Sequence, residues 1–264
     1  MSTRIAETFA RCKKENRSAF IPFLMAGDPD RDASLALLNA LPDAGADIIE
    51  LGIPFSDPMA DGPVIQQAGL RALKAGMDLK KVLGLAADFR KTHTGVPLVL
   101  MGYLNPVYVY GYDAFARDAA QAGVDGIILV DAPPEEAAEI EPLLSQHGIA
   151  LVRLIAPTSV PERLELLTQG ASGYLYYISI TGITGAASAS PQAIQGKLEQ
   201  IRAATNLPVC VGFGIKSAAD VAAFAPLADG VVVGSALVKY IEETRGDVAI
   251  VSAFVRELAS GCQK

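Results

Sequence analysis

Glu50 stands where a carboxylate is costly. The run Asp47-Ile48-Ile49-Glu50-Leu51 reads as a short apolar strand with an acid close to its C-terminal end. Burying a charged carboxylate there is unfavourable unless a partner neutralises it or it keeps its proton. A structural ion pair is one reading, yet Arg153 is the only Lys or Arg at an equivalent strand end. An acid–base role is the stronger reading. The segment that follows, Gly52-Ile53-Pro54-Phe55-Ser56-Asp57-Pro58-Met59-Ala60-Asp61-Gly62-Pro63, holds two more acids between three prolines. Asp57 before Pro58 reads as turn chemistry. Pro63 suits the first turn of a helix, so Asp61 fits an N-cap and a catalytic carboxylate equally well.

A second group of residues suits an anion. Gly212-Phe213-Gly214-Ile215-Lys216-Ser217 ends one strand, and Val233-Gly234-Ser235-Ala236 ends the next and opens a helix. Thr184-Gly185 lies in the loop before them. Glycines let backbone amides approach a ligand closely, and a helix that starts at Ser235 turns its positive end to the same place. One such glycine reads as a turn; two at consecutive strand ends beside a helix start mark a phosphate site. Phe23, Tyr103, Leu129, Tyr176 and Val232 fall near strand ends and suit an apolar pocket for an aromatic substrate, although each taken singly also fits ordinary barrel core. Asp131 either adds polarity there or serves the helix entry before Pro133-Pro134.

These residues need a frame, and the chain repeats one: a helix, a small-residue turn, then a short apolar strand. Ala44-Gly45-Ala46-Asp47, Ala122-Gly123-Val124-Asp125, Gln146-His147-Gly148, Gln169-Gly170-Ala171-Ser172 and Leu227-Ala228-Asp229 each lead into such a strand. The strands fall at 48–51, 126–130, 149–154, 173–178 and 230–233, with three more at 20–25, 97–103 and 208–213. Short, nearly continuous apolar strands alternating with helices make a parallel sheet covered by helices. Eight units in this length predict a closed (β/α)8 barrel as one domain over 1–264. Residues 4–14 form an extra N-terminal helix that can plug the bottom. A doubly wound open sheet is the alternative, but no GxGxxG follows the first strand. The Gly/Ala/Ser-rich stretch 179–191 follows strand six and reads as a mobile lid or as a plain connection.

Composition excludes other classes. The 264 residues are 51% hydrophobic and 19% charged, enough for a core and unlike a disordered chain. Lys and Arg number 22 against 29 Asp and Glu, a net charge of −7 that argues against nucleic acid but not against a small anion. Cys12, Cys210 and Cys262 lack CxxC spacing and read as reduced thiols. With only His93 and His147, a zinc site or a Ser–His–Asp triad is not expected. The charged, amphipathic N-terminus is no signal peptide, and the apolar runs are too short to span a bilayer. A soluble cytoplasmic protein without a metal is expected.

The stretch from Glu50 to Pro58, with Ala60-Asp61-Gly62-Pro63 and Ile65-Gln66, resembles the signature of the tryptophan synthase alpha chain family. Residues 177–185, Gly212-Phe213-Gly214-Ile215 and Gly234-Ser235 resemble the same family's sixth loop and phosphate turns, and the likeness runs from about Arg4 to the C-terminal helix. It departs after Gly185, where an arginine often follows the glycine–alanine pair, and at Ile180, where some members carry charge. The resemblance implies a lyase that cleaves indole-3-glycerol phosphate to indole and D-glyceraldehyde 3-phosphate with no cofactor in this chain. It implies that Glu50 shuttles protons and that Asp61 accepts a hydrogen bond from the indole N–H. By the same likeness, Tyr176 lies near the glutamate and the glycerol, and Thr184 bonds the aspartate on closure. Gly185, Phe213, Gly214, Gly234 and Ser235 hold phosphate, while Phe23, Tyr103, Leu129 and Val232 touch the indole. The implied partner is a β chain carrying pyridoxal phosphate, in an α2β2 tetramer, docked partly through loops two and six. A free-standing lyase, a catalytically silent regulatory subunit and a related barrel, such as an indole-glycerol phosphate synthase or a sugar-phosphate isomerase, are the competing readings. Intact Glu50 and Asp61 count against the second, and the lack of a strand-end Lys counts against the third.

Overall fold

A computed structural model describes residues 3–178, 190–212 and 214–263. Eight parallel strands pair in chain order, and β1 (Ala19–Met25) also pairs with β8 (Gly230–Val233), so the sheet closes. Between them lie β2 (Ile49–Gly52), β3 (Leu98–Gly102), β4 (Gly126–Leu129), β5 (Ala150–Ile155), β6 (Leu175–Ile178) and β7 (Val209–Gly212). At least one helix joins each consecutive pair. This is the expected (β/α)8 barrel, and the β1–β8 pairing excludes the open sheet. The strands match their expected positions, the largest difference being β6, which begins at Leu175 rather than 173.

Side chains alternate along each strand, so every second residue enters the barrel. Ile21, Ile48, Val99, Ile128, Val152, Tyr174, Tyr176 and Val232 form that inner cluster. The N-terminal helix Thr3–Lys14 closes its lower end. Its buried residues Ile5, Thr8, Phe9 and Cys12 recur at helical spacing, and Ile5, Phe9 and Cys12 join the inner cluster. Burying side chains such as Ile5 and Phe9 contributes about 2 kcal/mol each and holds the plug in place. The second face of the strands meets the outer helices in a larger core rich in Leu, Ile, Val and Ala.

The repeated turn phrase has a structural purpose at the lower rim. The Asp47 N–H donates to the Phe20 carbonyl, and the Phe20 N–H donates back to Asp47 Oδ2, both at 2.9 Å. The same reciprocal clasp joins Asp125 to Leu98, Ser172 to Leu151 and Asp229 to Val209. Each residue just ahead of an even-numbered strand thus satisfies the first amides of the odd-numbered strand before it, groups that a burial site would otherwise leave unpaired. Asp47 and Asp125 are buried and carry charge, so each also takes two arginines: Arg17 and Arg11 for Asp47, Arg4 and Arg90 for Asp125. Removing one partner of a buried pair leaves the other uncompensated, at a cost of about 3 kcal/mol. Asp47→Ala is therefore expected to lose about that much stability, measured as the urea midpoint. Ser172→Ala, which frees no charge, should lose about 1 kcal/mol. Equal losses would show that the charge contributes nothing beyond the clasp.

Candidate active site

Glu50 enters the barrel because it is two residues beyond Ile48 on the inward face of β2. It is fully buried. Its Oε1 accepts a 2.7 Å hydrogen bond from the Tyr174 hydroxyl, while Oε2 has no partner. Among the described residues no cation pairs with it. Burial pushes its pKa up from 4.5 to about 7, and the bond from Tyr174 holds it back only in part. Arg153, the one cation that sequence position suggested, takes the other face of β5. Its guanidinium donates to the Ala132 carbonyl and to Glu141.

Tyr174 was not among the residues singled out from sequence. Period two along the sixth strand puts it on the same face as Tyr176, a signal that was there to be used. Its ring leans on Phe9 of the plug helix at 5.8 Å between centroids, so the floor of the barrel supports the donor to Glu50. Tyr176 lies in the same inner cluster, and its hydroxyl passes over Gly212, where any Cβ would fall 2.5 Å from the oxygen. Gly52 makes the same allowance for the Phe23 ring, at 2.6 Å. The glycine that ends each of these strands thus makes room for an aromatic side chain of the neighbouring strand.

Asp61 does not cap a helix. The helix Pro63–Lys74 takes Gly62 as its N-cap and receives no side-chain cap bond. The Asp61 carboxyl instead adjoins a small cavity lined by Phe23, Met25, Ile53, Ile65, Met101, Gly102, Tyr103 and Val130. Burial raises its pKa from 3.8 to about 6, and the nearby Tyr103 hydroxyl opposes the rise. The cavity brings together Asp61, Phe23 and Tyr103 of the expected site. Leu129 alternates with Ile128 and Val130, so it packs in the outer core, and Val130 takes the lining position. Val232 lies deeper, in the inner cluster. Asp131 accepts from the Leu104 N–H at the start of the helix Leu104–Tyr110, and its charge acts on Tyr103 at the cavity.

The helix Ser235–Glu243 begins at the end of β8, with Gly234 as N-cap and no side-chain cap bond. Its first-turn amides have no acceptor within their own helix and suit an anion. A Cβ on Gly234 would lie 3.8 Å from that of Phe23, so this turn adjoins the aromatic end of the pocket. Gly214, with φ +74°, holds the left-handed turn that follows β7. Thr184, Gly185 and Phe213 lie outside the described residues, as does most of the expected lid. Among the described residues no cluster of three His, Cys, Asp or Glu could hold a metal ion. No helix among them is long and apolar enough to cross a membrane.

A family model described as tryptophan synthase alpha chain matches residues 9–263. Solved structures agree over nearly the whole chain. Tryptophan synthase subunit alpha from Legionella pneumophila is 40% identical with a TM-score of 0.90, covering 98% of each chain. Mycobacterium tuberculosis tryptophan synthase is 39% identical with a TM-score of 0.91, covering 100% of each chain. A protein of Aquifex aeolicus is 37% identical with a TM-score of 0.91, covering 99% of each.

Proposed function

The chain belongs to the tryptophan synthase alpha chain family, and we propose that Glu50 and Asp61 divide its reaction between them. That reaction cleaves indole-3-glycerol phosphate to indole and D-glyceraldehyde 3-phosphate in tryptophan biosynthesis. The carbon–carbon bond at indole C3 breaks only after C3 gains a proton, which places positive charge on the ring nitrogen. Glu50 gives that proton and takes one from the glycerol hydroxyl as the bond breaks, leaving an aldehyde and neutral indole. Asp61 accepts a hydrogen bond from the ring N–H and stabilises the positive charge while it lasts. Burial raises both carboxyls, Glu50 to about 7 and Asp61 to about 6, so near neutral pH Asp61 is the more readily ionised of the two. Two carboxyls held apart in this way suit an acid and a charge stabiliser. The observation that carries the reading is Glu50: a fully buried carboxyl with an unpartnered oxygen and no paired cation among the described residues.

Phe23 and Tyr103 adjoin the indole in this proposal, and Tyr176 and Val232 lie deeper in the barrel. Leu129 supports the pocket from behind. The amides of Gly214, Gly234 and Ser235, with Gly185 and Phe213, hold the phosphate, and Thr184 meets Asp61 from loop six. The partner is the tryptophan synthase β chain, in an α2β2 tetramer, and pyridoxal phosphate belongs to that chain. Exposed apolar residues follow several strands on the catalytic face: Met59 after β2, Tyr108 and Val109 after β3, and Val160 after β5. Val109 is 77% exposed and Met59 75%, which suits a surface that a partner covers. Three free, buried thiols support a cytoplasmic location.

The test is indole release from purified substrate, with and without the β chain. The chain is expected to form indole and glyceraldehyde 3-phosphate in equal amounts, and faster with the partner. Val109→Glu should leave the isolated rate unchanged but require about tenfold more β chain for the same stimulation. Failure to form indole in either condition would remove the assignment of roles.

A further inference from the structure

We propose that Arg71 links the two ends of the substrate site: with Asp28 and Glu242 it ties the helix behind Asp61 to the helix that receives the phosphate. The proposal rests on the reading of Asp61 as the carboxylate at the indole nitrogen and of the Gly234–Ser235 turn as a phosphate holder. None of the three linked residues lines the cavity beside Asp61, so their part is positioning.

Asp28 is a buried acid that the reaction does not use. It lies in the turn after β1, where its N–H donates to the Met25 carbonyl at 3.2 Å. Both of its carboxylate oxygens accept from Arg71, Oδ1 from Nε at 2.7 Å and Oδ2 from Nη2 at 3.0 Å. The planar fork of an arginine matches a carboxylate in this two-bond geometry. The remaining nitrogen, Nη1, donates to Glu242 Oε1 at 2.6 Å. One guanidinium thus joins the turn after β1, the helix Pro63–Lys74 and the helix Ser235–Glu243. Glu242 is half exposed, and an exposed ion pair alone contributes little. Here the buried pair with Asp28 has already fixed the guanidinium, so the third bond costs little further side-chain freedom.

Each of the two helices begins at the site and meets Arg71 near its other end. Asp61 stands two residues ahead of Pro63, and neither helix start receives a side-chain cap bond. The buried residues of the helix Pro63–Lys74 are Ala68, Gly69 and Ala72. Apolar contact is non-directional, and side chains this small do little to fix the tilt of a helix. The bonds of Arg71 are directional. By helix rise Arg71 stands about 12 Å from Pro63, so a tilt of about 5° there moves the Asp61 end by about 1 Å. A misplacement of about 1 Å can cost about 10²-fold in rate. β1 runs between the two helix starts. Its Met25 lines the Asp61 cavity and approaches Gly69, where a Cβ would lie 3.8 Å from the Met25 methyl. Its Phe23 adjoins Gly234. A substrate with indole at one end and phosphate at the other must span from Asp61 to the Ser235 amides. The Asp28–Arg71–Glu242 clasp holds that span.

The test follows indole release, affinity for glycerol 3-phosphate and the urea midpoint in Arg71→Met, in Glu242→Gln and in the double variant Asp28→Asn with Arg71→Met. Arg71→Met leaves Asp28 buried without its cation and should lose stability, whereas the double variant removes both charges and should recover most of it. Activity should not follow. Arg71→Met and the double variant are both expected to lose about thirtyfold in kcat/KM. Both should also bind glycerol 3-phosphate about fivefold more weakly. Glu242→Gln spares the buried pair, so its urea midpoint should match the parent while glycerol 3-phosphate binds about threefold more weakly. If the double variant recovers kcat/KM together with stability, the clasp serves the fold alone and the proposal is overturned. Parent-like glycerol 3-phosphate affinity in Glu242→Gln overturns it as well, and that surface variant does not depend on how the buried ones fold. A parent that shows no saturable binding of glycerol 3-phosphate would remove the phosphate reading and the link with it. Near-normal turnover in Asp61→Asn would instead remove the catalytic reading and leave the glycerol 3-phosphate comparison to decide the link, so the failures are distinct.

Discussion

Glu50→Gln is expected to lower indole release by about 10³-fold or more while leaving the barrel folded. The amide matches the acid in shape and still accepts the Tyr174 hydroxyl, so nothing in the packing changes. What it lacks is a proton to give to indole C3 and a base to take one from the glycerol hydroxyl. The pH dependence of stability supplies an internal control. Burial raises the Glu50 pKa from 4.5 to about 7, so the folded protein binds this proton more tightly than the unfolded chain does. The stability that comes from that proton is complete below about pH 4.5 and is lost as pH rises through about 7. Glutamine carries no such penalty. The variant should therefore gain stability relative to the parent as pH rises from 5.5 to 8, by on the order of 2 kcal/mol. Urea unfolding at the two values measures it. An enzyme that is inactive yet more stable at pH 8 cannot have lost activity through misfolding. Activity within about tenfold of the parent, or a stability difference that ignores pH, would remove Glu50 from the role given to it.

Much of this site was legible from sequence because the barrel's geometry is local. Ile48 and Glu50 share a face by the period of a strand, and an acid on an inward face is conspicuous by its cost. The repeated turns were equally plain, and Asp47, Asp125, Ser172 and Asp229 prove to be the clasps of the lower rim. What escaped depends on contacts between distant segments. Nothing near Tyr174 in sequence says that its hydroxyl meets a side chain of β2. Asp131 looked like part of its own turn but reaches across to Leu104. Asp61 stood even between cap and catalyst, because Gly62 takes the capping position only through backbone dihedrals. Leu129 was placed in the pocket one residue out of phase. On a strand that short, a slip of one position exchanges the inner face for the outer.

Asp61→Asn tests the other half of the division of labour, and is expected to lower kcat by about 10²–10³-fold. Asparagine still offers a carbonyl oxygen to the indole N–H, so ground-state binding should survive and KM should change little. The amide lacks the negative charge that opposes the positive ring nitrogen after C3 is protonated. The loss therefore falls on the transition state, and kcat and kcat/KM should drop together. The pH profile makes the assignment specific. In the parent, kcat/KM should rise as Asp61 ionises through about pH 6 and fall as Glu50 loses its proton through about pH 7, a narrow bell. Asparagine does not titrate, so in the variant the acid limb should vanish while the alkaline limb stays. An acid limb that persisted near pH 6 would belong to another group and would take the charge-stabilising role away from Asp61. Loss of the alkaline limb instead would mean that the two carboxyls titrate as a coupled pair, with macroscopic values shared between them. The separation of the limbs is thus the kinetic counterpart of the two environments: one carboxyl deep in the barrel above Tyr174, the other at its mouth beside Tyr103.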